Sequence, residues 1–163
     1  MPKALVETMD KLVELHEGLY GIASRKTQSL IYSKRDELQQ LVKKEQAFLL
    51  EISELNQQRQ KQAASLVPVK PGAGVPTLQE IIDETECELM KKELELLKTR
   101  LTEAVMKLSE QNNLNRELTH QSLQLVSTML NSMLPKQTPF NYSNPQHNHN
   151  SALPVTSLFD SKT

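Results

Sequence analysis

Residues able to do chemistry are few in this chain, and they do not converge. His147 and His149, in "HNHN", have a spacing that can share a metal ion, but no cysteine or acid stands near them to complete a structural site. The acids fall among bases, as in "KKELELLKTRLTE" from Lys91 to Glu103, which is the pattern of solvated i,i+4 pairing along a helix rather than of general acid–base work. "PGAGVP", residues 71–76, lacks the Lys-Ser/Thr ending and the preceding strand of a phosphate loop. The single cysteine, Cys87, sits between Glu86 and Glu88, which disfavour a thiolate, and it has no disulfide partner in the chain. His16 and His120 read as helix-surface or boundary residues. No catalytic residue, metal site or cofactor is assigned, and the expectation is that the protein is not an enzyme.

What remains is the architecture that would present side chains to another protein. The 163 residues suit one domain, and 19 basic against 20 acidic residues give no basic patch for nucleic acid or for a membrane surface. An apolar fraction of 37 % without tryptophan fits long, partly solvated helices better than a thick core. The opening "MPKALVETMDKL" has no apolar signal core and no run reaches the length of a membrane span, so a cytoplasmic location is expected, without membrane insertion.

Proline placement marks the boundaries. Of the eight prolines, none lies between Lys3 and Val67 or between Thr77 and Leu134. Interior proline costs a helix roughly 3 kcal/mol, so these gaps outline two helical territories joined by a linker over 67–77. The first divides in two. Leu5, Met9, Leu12, Leu15, Leu19 and Ile22 form one apolar stripe; Leu38, Leu41, Glu45, Phe48, Ile52 and Leu55 form another, out of phase with the first. The break between them is placed at "IYSKRDEL", with Ser33 as cap and Asp36 and Glu37 in the new first turn. Gly18 and Gly21 are either a rival break or a site of close helix packing.

The second territory opens on "TLQE", where Thr77 and Glu80 have capping-box spacing. Its stripe runs Ile82, Leu89, Leu97, Leu101, Val105, Leu108, Leu118, Leu125 and Met129. The expected fold is all-α: an elongated antiparallel helical bundle, or coiled-coil hairpin, of three long helices at about 3–31, 34–66 and 78–134. A second candidate break lies near residue 110, at "SEQNNLN". Residues 1–134 form the bundle, and 135–163 a flexible, disordered tail. Unbroken, the third helix is about 85 Å long against about 50 Å for the second, so its end either overshoots the hairpin or folds back.

That end is unusual. Leu114, Leu118, Leu125, Met129 and Met133 form one stripe; Leu123, Val126, Leu130 and Leu134 form an adjacent one. After Glu117 no charged residue other than His120 occurs before Lys136, whereas an exposed helix face normally carries Lys and Glu. Two readings stand: a buried core helix, or a face shared with a partner helix, for which Met129 and Met133 are suited because methionine adapts to different surfaces. A homodimer seam uses the same physics. The tail poses a related question, because Phe140, Tyr142 and Phe159 are half of the six aromatics in the chain. They are either incidental or anchors for a receptor.

Three stretches together resemble the FlgN family of flagellar type III export chaperones. They are "LIYSKRDELQQLVKKEQAFLLEISELNQQRQ", "QNNLNRELTHQSLQLVSTMLNSML", and a tail in which "FNYSNP" is similar to the family's Tyr-containing element and "SLFDSKT" to its ending. Asn141 stands where the family has Thr before the tyrosine. The resemblance implies a cytosolic helical chaperone that binds the C-terminal helical segments of hook-filament junction proteins, prevents their premature assembly and delivers them to the export gate. It places substrate contact around Asn115 to Leu134. With the apolar stripes, the expected partner-helix site is Leu114, Asn115, Leu118, Leu123, Leu125, Val126, Met129, Leu130 and Met133. It also implies docking of Tyr142, with Phe140 and Phe159 as further anchors, on the cytoplasmic domain of the gate's membrane protein. The competing class is a structural coiled-coil adaptor or a homo-oligomeric scaffold.

Overall fold

The computed structural model describes residues 2–67, 72 and 74–135. Four helices are present, α1 (Pro2–Ile31), α2 (Arg35–Leu66), α3 (Leu78–Glu84) and α4 (Glu88–Met133), with no strand among the described residues. The all-α bundle with an antiparallel hairpin is as the periodicity predicts.

The stripe of α1 is buried as expected: Leu5, Met9, Leu12, Leu19 and Ile22 all lie in the core, and Leu15 packs against it. Val6 and Val13 are buried too, on a second side of the helix, and Ala23 is buried in line with Leu5. The reason is topological. α1 is the middle helix, packed by both α2 and α4, while α2 and α4 do not bring any Cα atoms within 8 Å of each other. Leu41 and Ile52 of α2, Ile82 of α3, and Leu94 and Leu97 of α4 complete the core.

The α1–α2 hairpin closes at residues 32–34 by a Schellman motif. The N–H of Lys34 donates to the Ser29 carbonyl (2.9 Å), and that of Ser33 to the Leu30 carbonyl (3.4 Å). Ser33 therefore terminates α1 rather than capping α2: its φ is 54°, and the N-cap of α2 is Lys34, without a side-chain cap bond. Asp36 and Glu37 do occupy the first turn of α2, where they complement the helix dipole. A left-handed backbone costs an L-residue roughly 1–2 kcal/mol that glycine avoids. Ser33→Gly is therefore expected to raise the unfolding free energy, by up to about 1 kcal/mol in urea titration after glycine's greater unfolded-state entropy is subtracted. Gly18 and Gly21 do not break α1. Gly18 faces Phe48, whose Cε2 would lie 2.6 Å from an added Cβ, so here glycine serves close packing; Gly21 faces open space.

The capping box at Thr77 is present. Its N–H donates to Glu80 Oε2 (2.6 Å), and the Glu80 N–H donates to Thr77 Oγ1 (3.3 Å). It opens the two-turn α3, however, and the helix ends at Glu84. The break in the third territory lies at residues 85–87, not near 110. Asp83, Glu84, Glu86 and Glu88 are misplaced in a helix interior or at a C-terminus, but favourable before and within the first turn of a new helix. Thr85 Oγ1 closes the old helix on the Ile81 carbonyl (2.6 Å). Beyond the interruption the stripe holds at Leu97, Leu101 and Leu108, which lie in or against the core, but Leu89 is 79 % exposed and Val105 is exposed, while Leu94 and Ala104 are buried.

Direction is set by cross-helix pairs. Arg100 of α4 reaches Glu17 (3.1 Å) and Asp10 (3.7 Å) of α1. Further along both helices, Asn115 meets Ala23 and Thr27. The two helices therefore run parallel, and α4 runs antiparallel to α2. Past Asn115 the bundle ends, because α1 stops at Ile31. From Thr119 to Pro135 every residue is exposed. α4 thus continues straight through residue 110 and overshoots the hairpin by on the order of 20 Å, at about 1.5 Å per residue.

Candidate partner-helix groove

Where α1 and α2 turn, α2 and α4 stand apart and leave a groove of about 620 Å³. Leu30 of α1, Leu38 and Val42 of α2, and Leu123 of α4 give it apolar walls. Lys26 and Glu45 line it as a partly buried ion pair joining α1 to α2, with Nζ 2.8 Å from Oε2. Arg116 also faces the groove and makes no ion pair among the described residues.

Asn115 closes the inner wall. It was expected among the partner-contacting residues, but its side chain is engaged within the bundle and it is only 6 % exposed. Its Nδ2 donates to the Ala23 carbonyl (2.9 Å), and its Oδ1 accepts from the Thr27 hydroxyl, which in turn accepts from Gln111 Nε2. A buried polar side chain with these partners fixes the register of α4 on α1. The polar run "SEQNNLN" therefore does not break the helix: Gln111 and Asn115 are turned inward and satisfied.

The other predicted contact residues lie on α4 at and beyond the groove. Leu118 is half-buried and Leu114 exposed. Leu123, Leu125, Val126, Met129, Leu130, Met133 and Leu134 are exposed by between 52 % and 81 %. Steps of three and four residues carry the groove-lining positions Asn112, Arg116, Thr119 and Leu123 directly into Val126, Leu130 and Met133. The groove and the overshooting end are one track, about 30 Å long on the rise of an α-helix. Tyr142, Phe140 and Phe159 lie outside the described residues.

The sequence reading placed α4's contribution on the overshooting end but missed the opposite wall. Leu38 had been assigned to the core stripe, and Val42 one turn on was not singled out. The only available signal was that Leu38 and Val42 share a face with Glu45 at i, i+4 and i+7. Arg116 was missed because a single arginine on a helix carries no spacing signal.

The geometry offers a groove with apolar walls that runs into the exposed apolar end of α4. Among the described residues no helix is long and apolar enough to cross a membrane, and no group of three or more metal-ligating side chains is present. The family model described as FlgN protein matches residues 1–150. A relative from Bacillus subtilis (strain 168), named "Uncharacterized protein YvyG", is 32 % identical over 120 residues, which cover 74 % of this chain and 72 % of that protein. No solved structure matches. A family match that takes in the whole helical bundle makes this chain a member of the FlgN family of flagellar export chaperones.

Proposed function

We propose that the chain binds the C-terminal helical segments of hook-filament junction proteins along the groove and the overshooting end of α4. It keeps those segments from assembling prematurely and delivers their owner to the cytoplasmic domain of the export gate. The observation that supports this most is the continuity of the track: Leu123 lines the groove and also begins the exposed run Val126, Leu130 and Met133. An amphipathic helix laid there completes the gap between α2 and α4 and then covers the overshooting end. Each Leu or Met fully buried is worth roughly 1.5–3 kcal/mol gross. Several such residues exceed the cost of association and ordering and leave tight binding.

Delivery requires a second, weaker contact that releases after use. The aromatics Phe140, Tyr142 and Phe159 are suited to this as short anchors on a polar stretch of sequence. Tyr142→Ala is expected to leave junction-protein binding unchanged and to weaken binding to the gate's cytoplasmic domain at least tenfold in surface plasmon resonance. Unchanged gate affinity would remove Tyr142 from the docking site.

Isothermal titration of the full chain with a junction protein's C-terminal segment tests the main reading. A 1:1 complex with a negative heat-capacity change is expected, as apolar burial requires. A chain that forms a stable homo-oligomer and ignores that segment would instead be the coiled-coil scaffold.

A further inference from the structure

α3 already shows how a helix sits between α2 and α4. It approaches both of them and not α1, so it holds the corner of the bundle diagonal to α1. Ile81 and Ile82 are its buried anchors, with Leu78 half-buried beside them. Gln79 Oε1 accepts from Lys98 Nζ (2.6 Å), well inside α4, while the break at 85–87 ties Glu84 to the start of α4. α3 therefore runs antiparallel to α4, and its capped N-terminal end points along the gap toward the groove.

The gap stays open between α3 and the groove. Leu49 follows Glu45 and Val42 at i+4 and i+7 and shares the face of α2 that lines the groove; Val105 stands at i−7 from Asn112 and shares that of α4. Both are exposed. Phe48 packs on Gly18 of α1, and the Thr27–Asn115 bond sets a residue of α1 level with the one 88 further on in α4. Leu49 and Val105 thus stand at one level on opposite walls. Exposure alone does not single them out, because Leu50 and Leu96 are at least as exposed on faces turned from the gap; their placement across from each other does.

We infer that the gap is one continuous slot, filled at one end by α3, and that the partner's helix lies in the rest of it, end-on to α3. This rests on the partner-helix reading above. It adds Leu49 and Val105 as contact residues, and it makes the end of α3, where Pro76 is buried and Val75 exposed, the stop that sets how far the helix enters. The occupant is a helix of the same kind as α3, with a stripe of large aliphatic residues toward α2 and α4 and polar residues elsewhere. From Val105 to Leu123 the slot seats about 27 Å of helix. Lys26 and Glu45 satisfy each other, which leaves Arg116 as the groove's unpaired fixed charge among the described residues. The partner helix therefore carries a carboxylate roughly three turns from the residue that meets Val105.

Single substitutions in the full chain test this by titration calorimetry, with the purified C-terminal region of a hook-filament junction protein as probe. Leu49→Asp, Val105→Asp and Arg116→Glu are each expected to weaken binding at least tenfold. Leu50→Asp and Leu96→Asp are expected to change it less than twofold. Should an aspartate variant fail to fold, a photo-crosslinking residue gives the answer: at Leu49 and at Val75 it is expected to capture the same partner segment, and at Leu50 none. The inference is overturned if Leu49→Asp and Val105→Asp bind as the parent does while Leu123→Asp with Leu130→Asp does not; the proposed function then stands without the slot. It is overturned equally if Leu49 captures a second copy of this chain, or if all four single aspartates weaken binding alike. If no substitution affects binding, those at Leu123 and Leu130 included, the proposed function fails with it.

Discussion

Replacing Leu123 and Leu130 together by aspartate is expected to weaken binding of a junction-protein C-terminal segment by more than 100-fold while leaving the thermal midpoint of the unbound protein within a few degrees of the original. The two effects separate because both side chains are exposed in the unbound chain and touch no part of its core. Introducing a carboxylate there costs the fold little beyond a small change in helix propensity. In the complex the same carboxylates are trapped against apolar side chains. Desolvating an unpaired charge costs several kcal/mol, and each 1.4 kcal/mol is about tenfold in affinity. Titration calorimetry reads the binding and circular dichroism the fold. A loss of binding accompanied by collapse of the midpoint would show that these residues hold the bundle together. Retained binding would remove the groove-side flank from the site. The same change at Leu94, which is fully buried, is expected to unfold the protein outright.

Asn115→Asp is expected to be the most pH-dependent single change in the bundle. The amide Nδ2 donates to the Ala23 carbonyl, and a carboxylate in its place sets a negative charge against that oxygen. The groups facing the position are the neutral Thr27 and Gln111; Lys26, Glu45 and Arg116 lie on the adjoining groove walls, where the first two already pair. Burial therefore raises the folded-state pKa of the new acid above its unfolded value of about 3.9. Below that value both states hold the proton, and the O–H replaces the lost amide donor, so stability is close to that of the parent. As pH rises above about 4 the unfolded chain ionises first, and stability falls until the raised folded pKa is passed. A deficit of about 3 kcal/mol relative to the parent is expected at pH 8, in keeping with the cost of an unpaired buried charge. Urea titrations of both proteins at pH 4 and pH 8 check this; a deficit equal at the two pH values would mean that the site is not buried as described.

The outline of the fold was legible because helical periodicity and proline exclusion are strong, local signals. The stripe of α1 was read correctly, and so were Leu41, Phe48, Ile52 and Leu55 of α2, the Thr77–Glu80 capping box and the acids in the first turn of α2. What could not be read depended on tertiary placement. A sequence stripe does not say that α1 is the middle helix, so its second buried side, with Val6 and Val13, was invisible. The break at 85–87 was hidden because Ile82 and Leu89 stand seven residues apart, which continues a heptad on paper while the acidic run between them ends one helix and starts another. Ser33 looked like an N-cap because serine usually is one; that it holds a left-handed conformation at the end of the preceding helix is set by the hairpin. Within the candidate site, the missing charges marked the apolar run of α4 but left a buried core helix and a shared face both open; the end of α1 at Ile31 is what leaves that run exposed. Asn115 was not, because a polar residue facing inward is defined only by Thr27 and Ala23, about ninety residues away in sequence.

Hydrogen exchange along α4, read by mass spectrometry with and without a junction protein's C-terminal segment, tests the uncovered end of this helix most directly. In the unbound protein, amides of residues 121–134 are expected to exchange far faster than those of 94–115, which are held against α1, and to become strongly protected on addition of the segment. Equal protection of the two stretches in the unbound protein, or no gain over 121–134 on binding, would contradict the account.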